Sequence, residues 1–222
     1  MPKKPTLATG ALDTIHRKLS KGELSKRRIL EAALKEFAKH GYDLTSIQTI
    51  ADRAGAQKTA ITHYFGDKLG LFRECVEEIL VYHARMLEAD TDEKDDAYRR
   101  LQKSFLGNLQ LNREKPDYVR LLIALYSFAT HEPGLNKLYR EVVSRVRARY
   151  EGLILAGIRE RQFGPKLEPV MIAELFHEVI IGSMIDFVAF GASKELEARV
   201  REKWKELVVQ LLKVDSPTPS LF

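Results

Sequence analysis

The residues best suited to chemistry on a partner molecule are Gln57, Lys58, Thr59, Ala60, Thr62, His63 and Tyr64, gathered in one short stretch. A Gln amide can pair bidentately with adenine, and a Lys ammonium can reach guanine acceptors or a phosphate. Thr59 and His63 offer small contacts, and the Ala60 methyl suits a thymine methyl. Thr45 and Ser46 stand just upstream, where a helix would begin and its free amides would suit a phosphate. The chemistry such a set can do is recognition of duplex DNA. Bond-making has weaker credentials. Glu174 and His177 share one helix face, but a di-iron bundle needs two such pairs and two further Glu, and this chain has one pair. It has no His-Glu-x-x-His run, no phosphate-cradling Gly loop and no nucleophile elbow. The acidic turn 90–96 fails the calcium-loop pattern, lacking Gly at the sixth place and carrying Leu101 at the twelfth. Its acids serve a helix start, where the dipole favours them. We therefore expect no enzyme, no catalytic residue, no metal and no cofactor.

The elements that must position the first set are two short helices and a turn. Thr45 and Gln48 have capping-box spacing, so the first of them should start at Thr45. Ile47, Ile50, Ala51 and Ala54 then repeat at helical intervals and give one buried stripe. Gly55 ends that helix, because Gly enters the left-handed region cheaply. Lys58 to Tyr64 form the second, with Ile61 and Phe65 inward. Three small residues, Ala51, Ala54 and Ala60, let the two helices cross closely. This is a helix-turn-helix unit, whose second helix fits the major groove. A preceding helix over about 24–40, carrying Ile29, Leu30, Ala33, Leu34 and Phe37, completes a three-helix core.

The run RRILEAALKEFAKHGYDLTSIQTIADRAGAQKTAITHYFGDKLGLF resembles the DNA-binding domain of the TetR (tetracycline-repressor-like) family of transcriptional regulators, from Lys26 to Cys75. The resemblance implies an all-α chain with an N-terminal helix-turn-helix domain and a C-terminal helical domain for ligand binding and dimerisation. It also implies phosphate contacts from Tyr64 and Lys68, and a homodimer formed by the last two helices. The chain departs from the family pattern after the turn. Where Val-Ser-x-Gly-Thr is usual, it has Ala56-Gln57-Lys58-Thr59-Ala60, and Gln caps a helix poorly. Thr62 replaces a usual Tyr.

Charge follows the same division. Residues 1–70 hold 13 Lys and Arg against 7 Asp and Glu, and the rest 23 against 24, so the net +5 arises wholly beside the helix-turn-helix. A phosphate-binding footprint predicts that placement. The cluster Lys26, Arg27 and Arg28 opposes its helix dipole and suits an external anion. Residues 1–22 read as a basic, flexible arm and 215–222 as a tail. The single cysteine, Cys75, allows no intrachain disulfide and falls on an apolar helix face, so it reads as a buried thiol in a reducing compartment. No apolar run approaches a ~20-residue membrane span, and the start of the chain lacks the apolar core of a signal peptide. A cytoplasmic protein without a membrane partner is expected.

Helical periodicity continues to the end of the chain and brings the total to about nine helices. The reading divides the chain into a DNA-binding domain at 23–68 and a ligand and dimerisation domain at 69–214. A long helix from about 67 to 89 should link them, because its stripe exceeds what the small domain can bury. The apolar helix 117–130 should be the core of the second domain. Arg145, Arg147 and Arg149 read as a solvated face. Candidate effector contacts are His83 and Met86, Phe105 and Asn108, Tyr126 and His131, and His177 and Met184. The helices 168–190 and 194–213 carry more apolar surface than one face needs, which suggests a second copy of the chain. Leu175, Val179, Ile180 and Met184 on the first, and Val200, Trp204, Leu207 and Leu211 on the second, are the expected interface. Expected partners are therefore a palindromic DNA operator, an unknown small-molecule effector and a second protomer, with repression the family's commoner mode.

Overall fold

The computed structural model describes residues 20–90, 92 and 94–212. The basic stretch 1–19 and the tail 213–222 lie outside the described residues, so the proposed arm is seen only at its last residues. Those begin the first helix. Among the described residues there are nine helices and no strand: α1 Lys21–Leu44, α2 Ile47–Ala54, α3 Lys58–Phe65, α4 Lys68–Asp90, α5 Ala97–Glu114, α6 Pro116–Phe128, α7 Pro133–Arg159, α8 Pro169–Phe190 and α9 Lys194–Leu212.

Local chemistry sets the boundaries. Ser20 opens α1 with a capping box: its hydroxyl accepts from Glu23 N, and the Glu23 carboxylate accepts from Ser20 N. Gly41, at φ 75°, breaks the helical path near its end. Asp96 caps α5 by accepting from Arg99 N. Pro116, Pro133 and Pro169 each take the first helical position, where a missing N–H costs nothing. α7 stops before Gly164-Pro165, the expected stop. Arg161 turns left-handed at φ 58°, and Phe163 folds its ring onto Gly157, whose carbonyl accepts from Gln162 N and Phe163 N.

Two cores form. The first joins Ile29, Ala33 and Phe37 of α1 to Ile50 and Ala51 of α2, Ile61 of α3 and Leu71, Phe72, Cys75 and Ile79 of α4. It does not end with the small domain. Leu121, Leu122 and Leu125 of α6 and Leu138 of α7 belong to it, and α1 packs more extensively on α6 than on any other helix. The expectation that 117–130 is the core of the second domain is thus only partly met: α6 gives Val119 to the second core and three leucines to the first. A helix apolar all round can serve two masters, and sequence does not say which. The second core gathers Phe105, Tyr150, Ile154, Phe176, Met184, Phe187 and Trp204. Trp204 is fully buried, stacked on Phe105 at 4.3 Å and against Phe176 at 4.6 Å. Burying each such aromatic is worth about 2 kcal/mol or more.

The arginines of α7 are not simply solvated. Arg145 grips Glu77 of α4 through both terminal nitrogens at 2.8 and 2.7 Å, and Arg147 holds Glu174 of α8 at 2.5 Å.

Candidate nucleic-acid interface

The helix pair is assembled one residue later than the sequence spacing implies. Ser46, not Thr45, caps α2, accepting from Thr49 N at 3.0 Å. Gln48 donates to Asp52 instead of returning to a cap. Thr45 is 2% exposed, and its hydroxyl donates to the Gly41 carbonyl at 2.7 Å and the Glu36 carbonyl at 3.3 Å. The Thr45 capping box is therefore corrected: that side chain ties the end of α1 together and faces inward, away from any phosphate. Ser46 remains exposed at the helix start. Gly55 adopts the left-handed conformation expected of it, at φ 58°, and Ala56 N reaches back to Ala51 O.

α3 then leaves the turn with no side-chain cap on its first turn. Gln57 spends nothing on the helix, so its amide is available to a partner. Ile61 and Phe65 are buried and fix the roll of the helix, which leaves Gln57, Lys58, Thr59, Thr62 and His63 exposed and Ala60 and Tyr64 half-buried. The Thr62 hydroxyl donates to Lys58 O at 3.3 Å, keeping its lone pairs outward. Tyr64 leans toward the start of α1, where a methyl on Gly22 would stand 3.4 Å from its hydroxyl. Lys68 is half-buried: Nζ donates to Asp43 O at 3.4 Å and lies 4.3 Å over the Tyr42 ring. Burial lowers its pKa, partly offset by Asp43. This ammonium would have to leave both partners to meet a phosphate.

Sequence reasoning passed over three neighbours. Gln48 and Thr49 share the exposed start of α2 with Ser46, and Leu44 is 85% exposed just before it. Their signal was adjacency to the cap. Of the basic cluster, Lys26 pairs with Glu74 at 3.2 Å and Arg27 with Glu31 at 3.1 Å, so much of its charge is answered within the chain.

The candidate effector residues do not converge on one point. Tyr126 and His177 meet, hydroxyl to Nε2, at 3.2 Å. Asn108 is buried on α5 and donates to Ser104 O and to the Tyr150 hydroxyl, while Phe105 is spent in the Trp204 stack. Met86 lies against Gly107, and His83 is largely buried with Nε2 unpartnered. His131 is exposed at the α6–α7 turn against Thr130 and Phe128, away from the interior. Burial pushes both His83 and His177 down to about 4, helped by Arg149 and Arg147 respectively. Glu174 is committed to Arg147 and His177 to Tyr126, and no group of three metal-ligating side chains occurs among the described residues.

The expected pairing surface also needs correction. Ile180, Met184, Val200 and Trp204 are each 4% exposed or less, because α8 and α9 turn them into the second core of their own chain. The large apolar residues α8 exposes are Val170, Met171, Leu175, Ile185, Val188 and Phe190, and Gly182 is open to the outside as well. Val179, Leu207 and Leu211 are half-buried. No helix among the described residues is long and apolar enough to cross a membrane.

Comparison with known proteins agrees with this geometry. Residues 29–75 match the family described as bacterial regulatory proteins, tetR family. The chain is 28% identical over 136 residues to the HTH-type transcriptional regulator BetI of Burkholderia mallei, covering 59% of this chain and 68% of that one. Its fold is similar to the fatty acid degradation regulator FadR of Bacillus halodurans, with TM-score 0.74, 17% identity and coverage of 86% and 97%. It is likewise similar to a TetR transcription regulator of Haloarcula marismortui, with TM-score 0.73, 23% identity and coverage of 85% and 98%.

Proposed function

We propose that the chain, whose residues 29–75 match the family described as bacterial regulatory proteins, tetR family, is a DNA-binding transcriptional regulator of that family, and within it a homodimeric repressor of a palindromic operator, released by a small molecule. The observation that carries this reading is α3, anchored by Ile61 and Phe65 while Gln57, Lys58, Thr59, Thr62 and His63 face outward. In a two-fold dimer, two such helices enter successive major grooves about 34–36 Å apart, which demands a dyad in the DNA. The apolar Met171, Leu175 and Ile185 face of α8 is the surface we assign to the second protomer. The protein works in the cytoplasm, beside its operator.

Residues 23–68 read the DNA in this proposal, and 69–214 sense the effector. The interior of the second unit holds the unpartnered polar atoms Asn112 Oδ1, Trp204 Nε1 and His177 Nδ1. A small molecule that partners such atoms in one arrangement of α4 to α8, and not in the other, has the differential affinity that release requires.

Footprinting on the promoter beside its own gene, with and without a metabolite panel, tests the reading. The expected result is a protected dyad that opens with one metabolite, and higher transcription on opening. Protection of a single asymmetric half-site, or none, would sink it; lower transcription on opening would make the protein an activator.

A further inference from the structure

The first half of α7 lies along the half of α4 nearest the helix-turn-helix. At its start the two come close enough that a methyl on Gly134 would stand 2.3 Å from the Leu69 side chain. Further along, Glu141 accepts from Arg73 at 2.6 Å. A turn later Arg145 forks the Glu77 carboxylate at 2.8 and 2.7 Å. Arg147 then holds Glu174 of α8 at 2.5 Å. Residues two apart on a helix point about 200° from one another. Arg145 and Arg147 therefore grip helices on opposite sides of α7, one leading to the reading head and the other to the exposed Leu175 face of α8.

The charges between α4 and α7 alternate. Arg73 and Glu77 are a turn apart on one helix, Glu141 and Arg145 a turn apart on the other, so each group meets opposite charge both along its helix and across. The hydrogen bond from Arg145 holds the Glu77 carboxyl below its usual range, against burial and with help from the charges of Arg145 and Arg73. A lone exposed ion pair contributes little, but a forked Arg–carboxylate pair inside a network is the exception. What it adds is direction. Leu138 and Val142 beneath it bury apolar surface in the first core, and apolar burial has no preferred direction, whereas a fork fixes both position and angle. Any tilt of α4 reaches α3 at once, because Gly70 lies against the Phe65 carbonyl.

We infer that Arg145 and Arg147 are positioning residues for the reading of DNA: they yoke α4 to α8, set the angle between the head and the surface that pairs with a second protomer, and so set the half-site spacing the dimer accepts. The inference rests on the dimeric reading above, but the angle itself belongs to a single chain and is measurable without DNA or a partner.

The measurement is an electron-spin distance within one chain. Nitroxides at Lys39→Cys on α1 and Glu202→Cys on α9, both exposed positions, report head against body. Cys75 is buried and stays unlabelled. Dilution with unlabelled chain removes distances between protomers. With the yoke intact the distance should be narrow. Arg145→Gln and Arg147→Gln should each shift or broaden it by roughly 2 Å. Sodium chloride at about 1 M, where the screening length is about 3 Å, should move the intact chain the same way. Combining Glu77→Arg with Arg145→Glu restores opposite charge across the helices and should bring the distance back. The single variants should also bind the promoter fragment beside the protein's own gene roughly tenfold more weakly, and the charge exchange should recover that loss. An unmoved distance in Arg145→Gln overturns the inference, as does a change that the charge exchange fails to repair. A weakening of DNA binding matched by an equal loss of thermal stability overturns it too, since the pairs would then be merely structural. An intact chain that leaves the fragment unbound counts against the dimeric reading alone, and the distance still decides the yoke.

Discussion

The Tyr126 hydroxyl and His177 Nε2 lie 3.2 Å apart and join α6 to α8, while the other ring nitrogen of His177 is buried without a partner. A charged ring has no place there. Burial, then Arg147, takes His177 from 6.5 to about 4, and burial with Arg149 does the same to His83. Each ring thus binds fewer protons folded than unfolded between those values. Stability is full above 6.5 and falls as pH drops toward 4, by roughly 1 kcal/mol per pH unit for each ring. Urea denaturation at pH 7 and pH 5 should show this loss, and His177→Gln should reduce it. An identical pH dependence in the variant would clear His177 of the role.

On α3, Gln57 and Lys58 should fail differently when truncated. Gln57→Ala should lose about 1–3 kcal/mol of binding at the operator and little on unrelated DNA, as a base contact does. Lys58→Ala, if its ammonium meets phosphate, should weaken all DNA alike and reduce the salt slope by about one. Electrophoretic mobility shifts over a salt series separate the two patterns.

Gly70 packs so closely that a methyl on it would stand 2.1 Å from the Phe65 carbonyl oxygen. That oxygen is backbone at the end of α3, so it cannot swing aside. Gly70→Ala should destabilise by about 1–3 kcal/mol and weaken DNA binding by displacing α3. Gly152→Ala is the control: nothing lies within 4 Å of a methyl there, and mid-helix Ala should stabilise by about 1 kcal/mol. Thermal melts should show opposite shifts.

The neighbouring pair Thr45 and Ser46 should also separate. Ser46→Ala removes a cap and should cost about 1 kcal/mol. Thr45→Val buries a methyl where a hydroxyl served the Gly41 and Glu36 carbonyls, and should cost about 1–3 kcal/mol. A Ser46→Ala chain as stable as the natural one in chemical denaturation would contradict the assignment of the cap to Ser46.

Much of the fold is legible in the chain because punctuation is local. Gly55, Pro116 and Pro133 act on their own backbone, and the helices they delimit follow within a few residues. Thr45 and Ser46 were not separable, since both can cap and each has a polar residue three places on. The choice is made by Gly41, whose carbonyl takes the Thr45 hydroxyl. The outward face of α3 was legible because Ile61 and Phe65 fix its roll. The pairing surface was not: Trp204 looks like an interface anchor in sequence, and Phe105, a hundred residues earlier in the chain by about that order, claims it instead. Lys115 gave no sign of its aromatic company, the rings of Tyr82 from α4 and Tyr118 from α6.

The leucines that α6 lends to α1 bear on engineering. A chimaera that exchanges only the reading head for that of a relative would set foreign side chains against Leu121, Leu122 and Leu125, and against Phe128, whose ring would stand 3.0 Å from a methyl on Gly41, closer than a methyl ordinarily packs. Grafts that carry the two helices as a matched set should keep their stability and their hold on DNA; grafts cut at the apparent border should yield chains that misfold.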